Sequence, residues 1–268
     1  MSVQSLYTAA TGMQAMETKL DVVANNLANI NTTAFKKARA NFEDIFYRQI
    51  KLPGAQDAQG NFTPTGIAVG LGTRVQSTQT DFSQGAFATT NQPLDLAIEG
   101  RGFFVVQDPS TGQNVYTREG NFSLNSVGQL VTGSAQTGRV VQPQVTIPQD
   151  ATSIVISPEG IVSFAQSGSQ TYQQAGQLQL ATFINPEGLL KMGEGIYQET
   201  QSSGTAQQLI PGQTGAGVIR QGFLEQSNVE PVRELIDLIT TQRSFELNSQ
   251  AVQAGDQVLQ LVANLRRF

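Results

Sequence analysis

The side chains that carry out most enzyme chemistry are scarce in this sequence. It contains no His and no Cys, so the commonest general base, the commonest metal ligand and the reactive thiolate are all absent. The carboxylates Asp95, Glu99, Asp108 and Glu119 cannot be paired without knowledge of the fold, and the serines have no His with which to form a triad. The sequence therefore predicts no catalytic, metal-binding or cofactor-binding residues, and a protein that is not an enzyme.

Motifs and charge also argue against nucleotide, nucleic-acid and membrane partners. Gly215-Ala216-Gly217 lacks the third glycine of a dinucleotide-binding loop. A net charge of −5 with a pI near 4.8 does not suit a nucleic-acid surface. No stretch approaches the roughly 20 apolar residues of a membrane span. No apolar core follows the first Met, so we expect export without a cleaved signal peptide.

The residues at the N-terminal end predict a long helix. Over residues 1–35 the apolar positions recur with heptad spacing, which is typical of a coiled-coil helix. These positions include Leu6, Met13, Leu20, Val23, Leu27 and Ile30. The remaining faces should therefore be polar and face water or a partner.

Neutral amides are concentrated on those remaining faces, although Asn is a poor helix former. Asn25, Asn26 and Asn29 fall outside the apolar seam. One interpretation is that they face solvent. The other is that they meet neighbouring subunits, where a Lys or Glu would be costly to desolvate unless paired. We take the second as a hypothesis, and expect Asn31 to help end the helix.

Residues 228–268 predict a second long helix with a broad apolar surface. Asn228 is placed to cap it, and Pro231 suits its first turn. One series of apolar residues with heptad spacing is Leu238, Phe245, Val252 and Leu259. A stripe beside that series includes Leu247, Leu261 and Leu265. Together the two are wider than one coiled-coil seam requires.

The two terminal helices are expected to pair antiparallel, because isolated helices depend on tertiary packing. One pair covers only one face of each helix, so the remaining apolar surface would need another chain. The alternative is an ordinary helical lid on the central domain. Periodicity alone does not choose between assembly and a lid.

Between the helices, residues 81–227 predict a mainly-β body, since strand-like runs such as GFFVV and SIVI are bounded by Pro and Gly turn signals. Residues 36–80 are interpreted as a linker and extended loop region. Within it, residues 47–66 lack periodicity, and a loop of that length is usually functional or disordered. Its marker residues are Tyr47, Pro53, Gly54, Pro64 and Gly66. The predicted fold class is α+β, with N- and C-terminal helices pairing as a coiled coil around a central mainly-β body.

The block VANNLANINTTAFKK, residues 23–37, resembles the signature of the bacterial flagellar axial proteins that build rod and hook. Residues 81–106, 116–132 and 221–252 resemble further blocks of that family, in the same order. The resemblance covers nearly the whole chain, and the ordered set is far more specific than any one block. Ala34 departs from it, because many relatives have Gly before this Phe.

The resemblance implies a structural subunit that polymerises helically into a hollow shaft, which transmits torque and forms the export channel. The implied partners are further copies of itself, other rod and hook subunits at its ends, surrounding ring (bushing) proteins and the flagellar type III export apparatus. The implied location is the basal body, crossing the periplasm. The absence of Cys fits a chain that is threaded through a narrow channel. The resemblance further implies that residues 47–66 stiffen the shaft.

Chain length and residues 47–66 favour a rod subunit over the hook, and a hook or a different rod subunit is the alternative within the family. A secreted β-rich binding module with a coiled-coil stalk is the alternative from another class. An enzyme that uses two carboxylates is a third.

Overall fold

A computed structural model describes residues 3–54, 56, 62, 64–133, 137–166, 171–213 and 215–265. The chain divides into two compact units. The first, here the helical unit, comprises Met1–Ala28, Ala38–Thr80 and Glu230–Phe268. The second, here the β unit, comprises Asn29–Lys37 and Asp81–Val229.

The helical unit contains both long helices and one long β-hairpin. Its elements are α1 (Val3–Ala28), β1 (Ala38–Asp44), β2 (Tyr47–Lys51), β3 (Ile67–Gly70), β4 (Thr73–Thr80) and α2 (Pro231–Leu265). β1 pairs antiparallel with β4, and β2 pairs antiparallel with β3. Backbone hydrogen bonds from Ile45 to Gly72 (2.9 Å) and from Leu71 to Phe46 (3.2 Å) join the two ladders. Most of the described residues between 36 and 80, which were expected as linker and loop, therefore lie in paired strands.

The loop expectation failed because β2 and β3 lack the usual sequence signal of a strand. Every residue of β2 is exposed, and three of the four residues of β3 are exposed. A strand that buries neither face has no reason to alternate apolar and polar residues. The remaining sequence signal for these two strands was their content of β-favouring residues, namely Tyr47, Ile50, Ile67 and Val69.

The first helix is shorter than expected. α1 ends at Ala28, and residues 29–34 form turns. The turn that follows is closed by a backbone hydrogen bond from Thr32 to Asn29 at 3.2 Å, and Oγ1 of Thr32 also donates to Oδ1 of Asn29 at 3.1 Å. Ile30, Asn29 and Asn31 thus lie beyond the helix, in contrast to the heptad prediction for the first two.

The β unit is built from short strands. These are β5 (Phe87–Thr89), β6 (Leu96–Glu99), β7 (Phe103–Gln107), β8 (Asn114–Thr117), β9 (Phe122–Leu124), β10 (Leu130–Thr132), β11 (Val140–Gln142), β12 (Ala151–Ile156), β13 (Ile161–Gln166), β14 (Gln173–Gln177), β15 (Leu180–Thr182), β16 (Leu190–Gly193), β17 (Ile196–Gln198), β18 (Gln207–Leu209), β19 (Val218–Gln221) and β20 (Phe223–Glu225). A short 3-10 helix, Pro186–Gly188, follows β15.

The main sheet of the β unit has the order β16-β17-β8-β7-β11-β10-β9, with β15 also pairing β7 and β18. A three-stranded sheet, β12-β13-β14, and the pairs β19-β6 and β20-β5 complete the unit. Strand β7 is buried on both faces: Phe104 and Val106 join one apolar cluster, and Phe103 and Val105 join another. This explains why its sequence is continuously apolar.

Candidate assembly surfaces

The two long helices pack against each other and run antiparallel. A β-carbon added at Gly12 would lie 3.1 Å from Nδ2 of Asn248, and Gly255 faces the side chain of Leu6. At the opposite end of α1, Nδ2 of Asn26 donates to Oε2 of Glu234 at 3.2 Å. As the residue numbers rise along α1, the numbers of the residues they contact on α2 therefore decrease. The chain ends form the antiparallel pair that the sequence predicted.

The seam of α2 differs in chemistry from a purely apolar heptad. The predicted residues Leu238, Phe245, Val252 and Leu259 alternate along one face with Glu234, Thr241, Asn248 and Gly255. Of the α2 residues described, Glu234, Thr241 and Gly255 are the buried ones. Half of the seam is thus polar or small, which lets α1 approach closely at the glycine.

The predicted apolar residues of α1 are covered to varying degrees. Val23 is buried at 5% exposure. Leu6, Met13, Leu20 and Leu27 are half-buried. This incomplete cover leaves part of each side chain for further contacts.

A second apolar surface, the α2 outer stripe, stays exposed. Its exposed fractions are Val232 69%, Leu235 45%, Ile236 55%, Ile239 54%, Leu247 65% and Leu261 64%. At about 100° per residue these side chains fall within about 120° of one another, opposite the seam. The side chain of Leu265 lies outside the described residues. The sequence expectation of apolar surface beyond one helix pair agrees with these exposures.

Asn26 has a different place from the one expected. It is 1% exposed, and Oδ1 accepts from the backbone N–H of Ala38 at 2.9 Å while Nδ2 donates to the carbonyl of Ala38 at 2.8 Å. Its second amide proton serves Glu234. Asn26 therefore fastens the first residue of β1 to both helices, and the hypothesis that it faces another subunit is wrong. Only a side chain that both donates and accepts can do this.

The other two amides are not enclosed in this way. Asn25 is exposed on α1, and Asn29 is half-buried in the turn after it, accepting from Thr32. Both remain candidates for subunit contacts.

Within residues 45–72, here the arm, the described residues form an exposed hairpin, and this range contains the segment expected to stiffen the shaft. Large side chains along it are uncovered: Phe46 86%, Tyr47 54%, Ile50 60%, Leu52 63%, Phe62 70% and Ile67 54%. Residues 55, 57–61 and 63 lie outside the described part of the chain.

The marker residues of this segment have local roles. Gly54 has a φ of 79°, so Pro53 and Gly54 fit the two central positions of a type II turn. A β-carbon at Gly66 would lie 2.7 Å from Cδ of Pro53, so no other residue fits there without a shift. Pro64 is exposed.

A buried ionic cluster in the β unit escaped sequence reasoning. Nζ of Lys36 lies 2.7 Å from Oε1 of Glu225, and Nε of Arg118 lies 2.9 Å from Oε2 of the same carboxylate. Burial and the nearby Arg118 lower the pKa of Lys36, against the opposing effect of Glu225. The side chain of Lys36 is 0% exposed.

Asn228 also has another role than the predicted one. Its Oδ1 accepts from the N–H of Lys37 at 2.8 Å, and its Nδ2 donates to the carbonyl of Asp81 at 2.9 Å. It therefore ties together two segments of the β unit and does not cap α2. Pro231 does stand at the first position of α2, as predicted.

Neither a metal centre nor a membrane helix is found in the described part of the chain. No three acidic side chains there are grouped so as to hold a metal ion. No helix among those residues is long and apolar enough to cross a membrane.

Three family models match successive parts of the chain. A model described as flagella basal body rod protein matches residues 6–36. One for the flagellar hook protein FlgE/F/G D1 domain matches residues 97–164, and one for the flagellar basal body rod FlgEFG protein C-terminal matches residues 220–265.

Whole proteins match as well. The chain is 44% identical to the flagellar basal-body rod protein FlgG of Caulobacter vibrioides, over 98% of this chain and 100% of that protein. It is 42% identical to FlgG of Borreliella burgdorferi over 99% of each. It is 40% identical to FlgG of Buchnera aphidicola subsp. Acyrthosiphon pisum, over 98% of this chain and 100% of that protein.

Paired terminal helices with an uncovered apolar stripe, together with an exposed arm, define a structural protein built to assemble. The chain belongs to the family of flagellar basal-body rod and hook proteins. It is a rod structural subunit of the flagellar basal body and not an enzyme.

Proposed function

We propose that this chain is a subunit of the distal rod, polymerising helically into a stiff, hollow drive shaft. The observation that carries the proposal is the α2 outer stripe, because six large apolar side chains on one helix face stay uncovered in a single copy. Contiguous exposed apolar surface marks a protein contact. Full-length similarity to proteins named FlgG supports the same assignment.

The arrangement of the two apolar faces of α2 suggests how copies pack. The seam faces α1 of the same chain, so the outer stripe is left for helices of other copies. We infer that the α1–α2 pair joins an inner layer of coiled coils, and that the β unit contributes to an outer layer. We infer that the outer stripe of one copy meets a different surface of the next copy, a heterologous contact that propagates without closing. Asn25 and Asn29 are placed to meet neighbours in this layer.

The arm supports a rod in preference to a hook. Its strands expose their side chains on both faces, and a lone two-stranded hairpin is marginally stable in water. We infer that neighbouring copies cover it, so that it bridges subunits and stiffens the shaft. A hook or proximal rod subunit is the alternative within the family.

The proposal includes partners beyond the homopolymer. Proximal rod subunits and hook subunits would adjoin its two ends, and ring proteins would surround it as a bushing. The shaft would cross the periplasm and form the channel through which later subunits pass. Delivery by the flagellar type III export apparatus is consistent with a chain that contains 0 Cys.

The test is to place a charge on the α2 outer stripe. Ile239→Asp and Leu247→Asp should prevent polymer formation by the purified chain, measured by sedimentation and electron microscopy. The control is Val127→Asp in the β unit, since Val127 is 66% exposed and has no assigned role. Circular dichroism would check that each variant keeps its secondary structure. Normal polymers from either stripe variant would refute the proposed packing.

The arm is tested separately by deleting residues 47–66. The chain that lacks residues 47–66 should keep its folded β unit and still assemble, but into shafts that are curved or more easily bent. Shafts of unchanged straightness and stiffness would contradict the stiffening role. They would also remove the arm as a reason to prefer a rod subunit over a hook subunit.

A further inference from the structure

The β unit has a groove of about 480 Å³ whose lining includes three aromatic rings. Phe82, Phe103 and Phe183 contribute to it, with ring centroids of Phe103 lying 5.5 Å from Phe82 and 5.7 Å from Phe183. Ile184 also lines it and is 82% exposed. We call this cleft the aromatic groove. Edge-to-face rings of this kind form a preferred surface for another aromatic side chain.

The charge of the aromatic groove is positive. Arg101 and Arg118 line it, and none of its described lining residues is acidic. Arg118 shares the carboxylate of Glu225 with Lys36, so this buried cluster keeps one positive charge in excess. An occupant that combines an aromatic ring with a carboxylate would satisfy both features of the groove.

The helical unit carries a segment with that combination. Phe46 is 86% exposed, the largest value among the exposed large hydrophobic residues described. Asp44, two residues earlier, is also exposed and accepts a hydrogen bond from Tyr47. The backbone between β1 and β2 is restrained by two hydrogen bonds, because the N–H of Ile45 donates to Gly72 and the carbonyl of Phe46 accepts from Leu71. The side chain of Phe46 thus protrudes into solvent from a backbone that hydrogen bonds restrain.

We propose that Phe46 of one copy enters the aromatic groove of a second copy, beside Ile184, with Asp44 facing Arg101. This inference rests on the proposed function, since it requires that copies assemble. Every chain carries both the protruding ring and the groove, so the contact is heterologous and repeats along a polymer. It also covers Phe46 and Ile184 at once, the two large apolar side chains with the greatest exposure among those described.

The chain contains 0 Cys, so cross-links report only on introduced pairs. Phe46→Cys in one chain is mixed with Ile184→Cys in a second chain that carries a tag of different mass, under assembly and oxidising conditions. A disulfide forms only when the two β-carbons come within about 4 Å. We expect a disulfide-linked heterodimer in the polymer. The matched mixture of Val127→Cys with Ile184→Cys should give at least about tenfold less.

The charge pair is tested in the same assay. Asp44→Arg and Arg101→Asp should each lower the heterodimer yield, and combining both changes should restore it, because opposite charges again face each other. Equal yields with Val127→Cys, or no heterodimer in polymers that sediment normally, would overturn the inference and leave the proposed function standing. A wild-type chain that forms no sedimenting polymer would overturn both.

Discussion

The two units of the chain bury their apolar side chains to very different extents. In the β unit, Leu96, Ile98 and Phe104 are 0% exposed, as part of a core on both faces of β7. In the helical unit, the buried hydrophobic residues among those described are Ala15 and Val23. The six residues of the α2 outer stripe meanwhile keep exposures of 45% or more. The β unit completes its core within one copy, whereas the helical unit leaves large apolar side chains uncovered, as the proposed assembly requires.

The contrast between the two units is tested by removing one apolar side chain from each. Phe104→Ala should lower the free energy of unfolding of the β unit by about 3–5 kcal/mol, because it leaves a cavity in a closed core. Ile239→Ala should change the stability of the single copy by less than about 0.5 kcal/mol, since an exposed side chain loses little. It should instead weaken assembly.

Denaturant unfolding with hydrogen exchange read by mass spectrometry assigns each loss to its unit. Similar destabilisation of the single copy by both substitutions would mean that the α2 outer stripe is already covered, and the contrast between the units would fail.

A second test compares two ion pairs of equal length in the β unit. Lys36 to Glu225 and Arg220 to Glu99 both span 2.7 Å, but the first pair is 0% exposed and the second is about 45% exposed. Glu225→Gln leaves two buried cations without their carboxylate and should cost about 3–5 kcal/mol. Glu99→Gln should cost less than about 1 kcal/mol, as exposed pairs do. Equal effects in urea unfolding would show that burial does not set the difference.

Sequence patterns predicted the elements that bury apolar side chains on one face or on both, and they missed the strands that bury neither face. The heptad residues Leu238 and Val252 located α2, and the apolar run at residues 102–106 located β7. Strands β2 and β3 gave no alternation because neither face is buried. Glu225 and Lys36 are 189 residues apart, so nothing local could pair them. The family signature identified the chain, although it did not assign a role to any single amide.

Asn26 illustrates this limit and gives the third prediction. Heptad position placed it on an outer face, but α1 also packs against the hairpin, and Ala38 lies where a neighbouring subunit was expected. Asn26→Asp removes both amide donors, including the one to Glu234, and sets a second carboxylate against that buried residue. We expect a loss of about 1–3 kcal/mol in the helical unit.

Two comparisons sharpen the Asn26 result. Asn25→Asp, one position away and exposed, should change stability by less than about 0.5 kcal/mol. Adding Glu234→Gln to Asn26→Asp should recover part of the loss, because like-charge repulsion is removed. Exchange protection of β1 and of the first turn of α2 is the measurement. Unchanged protection in Asn26→Asp would show that the amide does not hold these elements together.

The smallest expected effect is at Ala34, where the chain departs from the family signature. Ala34 has a φ of 53° and is 5% exposed, and its N–H donates to the carbonyl of Glu225 at 2.8 Å. The left-handed conformation costs Ala about 1 kcal/mol relative to Gly. Replacement of Ala34 by Gly would also remove a buried methyl group and increase the conformational freedom of the unfolded chain. These effects offset about 0.4–1 kcal/mol of the gain in backbone energy. Ala34→Gly should therefore alter the free energy of unfolding by less than about 1 kcal/mol.

Ala34→Val should destabilise the β unit clearly, because a β-branched residue at positive φ is strongly disfavoured. Thermal unfolding of both variants is the measurement: if Val is tolerated as well as Gly, backbone conformation does not limit this position.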